Sequence, residues 1–136
     1  MLDTLKLRQE HLQEMRQPVA SLARIEACGM LAGKGDRVEA VLTVRNAEQS
    51  PVRFRMDPLE QLNALKWIDA NGLNLLGIFH SHPSGPESVS PTDIAEAAYE
   101  VVHLIWSRKG SAWSVRGFWI ENGQVTEVEL QVFNTE

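Results

Sequence analysis

Apolar and polar residues change rhythm several times along the 136-residue chain, and each change marks an element. After a short apolar start at Leu5 and Leu7, the segment from Gln9 to Ala23 carries Leu12, Met15, Val19 and Leu22 at steps of three and four. That spacing places them on one helical face, and Pro18 inside it predicts a kink or break. "EACGMLAG" reads as a buried strand ending at Gly33, "DRVEAVLTVRN" as a second strand after the turn at Gly35, and "VRFRMD" as a third. Asp57-Pro58 starts a helix, since the aspartate can cap and proline suits the first turn. Leu59, Leu62, Leu65 and Trp67 or Ile68 supply its expected apolar face, and Asn71-Gly72 ends it. "LNLLGIFHSH" is nearly continuous in apolar residues, the pattern of a central strand buried on both faces. A short helix from Pro91 to about Glu100 follows. "VHLIW", "WSVRGFWI" and "TEVELQVF" then read as strands, the last two joined by a turn at Glu121-Asn122-Gly123. Helices alternate with strands early and strands dominate late, which predicts an α/β or α+β domain with a central mixed sheet flanked by helices.

Composition narrows the class. Hydrophobic residues make up 43% of the chain, enough to build a core at a length that fits one domain. The formal net charge is -5 and no basic stripe runs along the chain, so nucleic acid is not an expected partner. Cys28 is the only cysteine, which excludes an internal disulfide and any paired-cysteine metal site. No signal segment or membrane-length apolar run is present, so a soluble, cytoplasmic protein without a membrane partner is expected.

The candidate chemistry lies in "HSHPSGPESVSPTD", residues 80 to 93. Ser90-Pro91-Thr92-Asp93 is close to a capping box, with serine at the cap, proline at the first helical position and an acid three residues on. That device needs no metal, and His80 and His82 can be strand-end residues with ordinary hydrogen bonds. A second reading starts from strand geometry. Alternate residues share a face and lie about 7 Å apart along the strand, so both imidazoles can lean onto one ion. Asp93, on the first turn of the next helix, can add a third, anionic ligand. Two histidines and a carboxylate leave one position open on a tetrahedral zinc, the mark of a catalytic site. Such a site also needs a base, and Glu26 is the candidate because it stands in the otherwise apolar "IEACGML". An exposed acid at a strand edge is the alternative there.

Glutamate upstream, then His-Ser-His, seven residues, serine, two residues and aspartate resembles the JAMM (MPN+) motif of zinc metallopeptidases. Here the motif residues are Glu26, His80, His82, Ser90 and Asp93. The likeness extends through "EACGMLAG", "SPVRFRMDPLEQLNAL" and "LLGIFHSHPSGP", covers roughly Leu5 to Phe118, and is greatest to compact prokaryotic members. It implies a single MPN/JAMM domain over residues 1–136, of cytidine-deaminase-like architecture. It implies one zinc ion held by His80, His82 and Asp93, with water as fourth ligand. Glu26 would deprotonate that water and then protonate the departing amine, while Ser90 would donate to the oxyanion. The implied reaction is hydrolysis of the amide bond after the C-terminal Gly-Gly of a ubiquitin-like or sulfur-carrier protein. An extended Gly-Gly tail could add to a sheet edge, and the segment Ser50 to Met56 with the loop after Pro83 is the expected groove.

A non-hydrolytic MPN scaffold, or a binding module for a ubiquitin-like partner, is the alternative, and the complete set of motif residues argues against it. A zinc deaminase would need paired cysteines that this chain lacks. The remaining conspicuous residues read as structural. Cys28 is expected as a small buried residue, His103 as a core or edge residue, and His11 as solvent-facing. Trp67, Trp106, Trp113 and Trp119 are expected in the core. Arg53 and Arg55 either face solvent or touch an acidic substrate.

Overall fold

The computed structural model describes residues 1–22, 24–51, 54–95, 97 and 99–134. The apolar start is itself a strand, β1 (Thr4–Arg8), followed by α1 (Gln9–Ser21), β2 (Cys28–Lys34) and β3 (Arg37–Val44). Then come α2 (Pro58–Ala70), β4 (Asn74–His82) and the short α3 (Pro91–Ala95). Strands β5 (Val102–Lys109), β6 (Ala112–Glu121) and β7 (Gln124–Phe133) complete the chain.

The mixed sheet is present, and it closes on itself in the order β1-β3-β2-β4-β5-β6-β7. β1 makes the closure, pairing in parallel with β7 from Thr4↔Glu129 to Arg8↔Phe133 and meeting β3 at Lys6↔Arg37. The larger apolar cluster draws on all seven strands and on Met15 and Val19 of α1, so it lies inside the closed sheet. A second cluster, on the other face of β2 and β4, gathers Cys28, Met30, Ala32 and Ile78 against Ala64 and Ile68 of α2. Adjacent residues of β4 serve opposite clusters, Phe79 the first and Ile78 the second, which is why the run from Leu75 to Phe79 holds no polar side chain. β4 runs antiparallel to β2 and parallel to β5, placing its C-terminal histidines in mid-sheet.

Several local expectations change in the folded chain. α1 continues through Pro18, because the proline falls in the last turn and forfeits one N–H bond there; the Leu22 N–H still reaches the Pro18 carbonyl at 2.9 Å. His11 is buried rather than solvent-facing, and its Nδ1 accepts the Arg8 N–H at 3.0 Å, satisfying a free donor at the helix start. The "VRFRMD" segment is no strand in its described part: Met56 makes one bridge with Asn46, and Val52 and Arg53 lie outside the described residues. The Asn46 side chain takes the Arg55 N–H that a strand neighbour would otherwise accept. α2 is capped by Asp57, which accepts the Glu60 N–H at 3.1 Å, but its buried face is Ala64 and Ile68. Leu59, Leu62 and Trp67 are 66%, 47% and 44% exposed, because this helix is apolar on more than one side and small Ala64 allows the closest approach. The helix expected to reach about Glu100 is described as Pro91–Ala95; Tyr99 and Glu100 are not helical, and Glu96 and Ala98 lie outside the described residues. The β6–β7 turn is as expected, with Asn122 and Gly123 both at positive φ (52° and 75°) between the paired Glu121 and Gln124. No helix among the described residues is long and apolar enough to cross a membrane.

Gly29 shows how tightly β2 packs on its neighbours. A β-carbon there would strike the Phe79 ring and the Leu42 carbonyl oxygen, with backbone on one side and a fully buried ring on the other. Gly29→Ala is therefore expected to destabilise the fold by about 1–3 kcal/mol, read as a lower urea midpoint at unchanged m-value.

Candidate metal centre

The end of β4 brings the site together. His80 and His82 leave the strand on one face, and Ser81 points to the other. The Ser81 N–H reaches the Ala27 carbonyl at 3.0 Å, and Ser81 Oγ accepts the Ala27 N–H at 2.9 Å. This pair extends the Cys28↔His80 register by one residue and sets Glu26 beside His82. Ligand atoms of Glu26, His80 and His82 lie within 4.8 Å of one another, and all three residues are buried. Glu26 is thus no exposed strand-edge acid.

Asp93 arrives from α3. Its Oδ1 lies 3.0 Å from His80 Nε2 and its Oδ2 lies 3.0 Å from His82 Nε2, while the two Nε2 atoms are 3.2 Å apart. Those separations are near the roughly 3.3 Å edge of a tetrahedron whose ligands sit about 2.0 Å from a central zinc. Proton counting points the same way. His82 Nδ1 lies 2.9 Å from the Pro86 carbonyl, which can only accept, so in the neutral ring Nε2 holds a bare lone pair. That lone pair lies 3.0 Å from a carboxylate oxygen and 3.2 Å from His80 Nε2, so a proton on one of the three groups or a metal ion among them must serve it. His80 Nδ1 and Glu26 Oε1 have no hydrogen-bond partner among the described residues. The His80 ring is instead held by Phe54, stacked at 4.3 Å and 24°. The residues fit a metal ion.

The capping box expected from the sequence is also real. Ser90 Oγ accepts the Asp93 N–H at 3.1 Å, and Asp93 Oδ2 accepts the Ser90 N–H at 2.8 Å. Capping and the approach of Asp93 to the histidines are one arrangement, so the two readings do not compete. Because Ser90 Oγ accepts from the helix, its own proton is left to donate.

Burial governs the titration of these groups. It pushes the Glu26 carboxyl up to about 8, opposed by His82 and reinforced by Asp93. Burial lowers His80, against the pull of Asp93. For His82 burial also acts downward, but the bonds to Asp93 and the Pro86 carbonyl outweigh it and raise the ring. Burial would raise Asp93, yet the two histidines hold it well below the usual carboxylate range. The Cys28 thiol donates to the Val44 carbonyl at 3.3 Å and is pushed up to about 12 by burial, which keeps it protonated and structural.

A cavity of about 660 Å³ opens onto His80 and Asp93 and is lined also by Phe54, Met56, Tyr99 and His103. His103 is buried, with Nε2 3.4 Å from the Tyr99 carbonyl, and lines this cavity as well as β5. Arg55 lies at its rim, exposed, while Arg53 lies outside the described residues. Trp106 and Trp119 are core residues as expected, whereas Trp67 is not. Ser81 stands inside the motif, and Phe54 and Pro86 fall in the segments expected to form the groove, but what these three residues hold is revealed only by tertiary contacts.

The closed mixed sheet gathers two histidines and two carboxylates at the end of a central strand, a donor set that fits a metal ion. The family model for prokaryotic homologs of the JAB domain matches residues 8–121, and the chain belongs to that family. The chain is 41% identical over 122 residues to a probable TtuB-protein conjugate cleaving protease of Thermus thermophilus, covering 89% of this chain and 78% of that protein. It is 37% identical over 132 residues to a desampylase of Pyrococcus furiosus, covering 95% and 91%. A solution structure of a protein from Desulfitobacterium hafniense superposes with a TM-score of 0.87 at 35% identity, over 97% of this chain and 94% of that one. The chain is a peptidase or isopeptidase of the JAB/MPN class.

Ser81→Ala leaves the buried Ala27 N–H without a partner. It is expected to cost about 1–3 kcal/mol of stability, read from chemical denaturation, although Ser81 faces away from the imidazoles.

Proposed function

We propose that this peptidase hydrolyses the amide bond after the C-terminal Gly-Gly of a ubiquitin-like or sulfur-carrier protein, with one zinc ion held by His80, His82 and Asp93. The observation that carries the proposal is the convergence of two imidazole Nε2 atoms and a carboxylate within 3.0–3.2 Å, beside a buried glutamate with an unpartnered oxygen. The kinship to a conjugate-cleaving protease and a desampylase supports the choice of protein conjugates as substrates.

When bound, zinc supplies Lewis acidity and lowers the pKa of water toward about 7. The chain's own residues do the rest. Glu26 Oε1 takes a proton from the attacking water and returns it to the departing amine, so no proton is lost over the cycle. A neighbouring cation opposes the effect of burial and favours the ionised carboxylate that this step requires. Ser90 keeps a hydroxyl proton free for the oxyanion while its oxygen caps α3. The Pro86 carbonyl holds His82 in the tautomer that leaves Nε2 open, and Phe54 keeps the His80 ring in plane. The cavity bounded by Phe54 and Met56, together with the loop after Pro83, gives an extended tail a path to these groups.

Intact-mass analysis of Gly-Gly-ended carrier proteins bearing a C-terminal or lysine-linked adduct tests the proposal. The adduct is expected to be lost with the zinc-loaded protein and retained with chelator or with Glu26→Gln. Asp93→Ala is expected to lose bound zinc, and Ser90→Ala to keep it while kcat falls about 100-fold. Cleavage that survives both the chelator and Glu26→Gln would sink the assignment.

A further inference from the structure

Asn46 is 2% exposed and stands where two parts of the site meet. Its Nδ2 donates to the Glu26 carbonyl at 3.0 Å. Its Oδ1 accepts the Glu48 N–H at 3.0 Å and the Arg55 N–H at 2.9 Å. The side chain thus spans the neck of the loop between β3 and α2 and ties that loop to the strand entrance carrying Glu26. The neck is closed by the Ala47 N–H on the Arg55 carbonyl at 2.8 Å and by the Asn46↔Met56 bridge. The loop returns a second bond: the Glu26 N–H reaches the Ser50 carbonyl at 2.7 Å. Glu26 is therefore clamped at both its backbone polar groups by one loop. The same loop sends Phe54 onto the His80 ring and lines the cavity with Phe54, Arg55 and Met56.

We infer that Asn46 is a positioning residue that holds Glu26 and the Phe54 wall in a single register, so that the proton-transfer group and the substrate wall move together or not at all. Only a carboxamide of this length offers a donor to the Glu26 carbonyl and an acceptor to two N–H groups from one planar group. A misplacement of about 1 Å at a reacting group costs on the order of 100-fold in rate, which gives the clasp its leverage. The inference rests on the role proposed above for Glu26.

Aspartate at this position separates the two halves of the clasp. It keeps the acceptor for the Glu48 and Arg55 amides, lacks the donor, and sets an oxygen against the Glu26 carbonyl. In zinc-loaded Asn46→Asp, hydrogen exchange is expected to quicken at the Glu26 amide while the Arg55 and Glu48 amides stay protected. Zinc stoichiometry is expected to equal that of the wild type, and kcat on a cleaved carrier to fall about tenfold or more with KM within about threefold. Asn46→Ser, which removes both halves without adding charge, is expected to expose all three amides and to raise KM as well. It carries the test alone if the aspartate variant does not fold. Wild-type exchange at Glu26 with wild-type kcat overturns the inference, as does loss of zinc or of β4 protection in step with kcat, which marks a general folding role. If the wild-type protein cleaves no carrier, the functional proposal fails while the exchange pattern still decides whether Asn46 couples the loop to Glu26.

Discussion

The pairing of β4 with β2 is the constraint on which the site depends. β4 is buried on both faces and hydrogen-bonded on both edges, so neither its register nor its facing can slip without turning apolar residues into the wrong cluster. Phe79 anchors one face and Ile78 the other, and the next two outward positions on the Ile78 face are His80 and His82. The reciprocal bonds between Ser81 and Ala27 carry that register past the regular ladder, to the point where Glu26 must lie beside His82. A hydrophobic strand thereby delivers polar groups with the positional accuracy of a core.

Those polar groups sit where an apolar environment makes them expensive, and each is held by something specific. The Pro86 carbonyl orients His82, Phe54 stacks on His80, and the capping box at Ser90 turns Asp93 toward both rings. Two imidazole nitrogens and a carboxylate within about 3 Å of one another need a proton or a metal ion among them, and the donor set suits a metal ion. α3 illustrates the economy of the design, because one serine–aspartate pair starts the helix and presents the anion. The Asn46 clasp extends the same logic to the loop, fixing backbone where the side chain must act.

Much of the architecture was legible in local patterns. Asp57-Pro58 and Asn122-Gly123 state their own conformations, because capping and positive φ are properties of a few adjacent residues. The continuous apolar run of β4 announced a strand buried on both sides. Where several faces were apolar, as in α2, periodicity could not tell which would be covered, and the contact went through Ala64 and Ile68. His11 has the local pattern of a surface residue, and only its bond from the Arg8 N–H accounts for its burial. In its described part the expected third strand shortens to the Asn46↔Met56 bridge, because the Asn46 side chain takes the Arg55 N–H that would extend the ladder.

The sequence by itself determined which residue types were available for chemistry and at what intervals: His80 and His82 two apart on a strand, Asp93 on the turn of a capped helix, and an isolated Glu26 in apolar surroundings. Spacing within a strand or a helix turn is set by backbone geometry, so it can be read without the fold. Only the tertiary structure decided that Glu26 meets those histidines, that β1 closes the sheet, and that Asn46 joins the Glu26 segment to the loop. These are contacts between segments far apart in the chain, and their distances follow from strand pairing and packing that no local pattern contains.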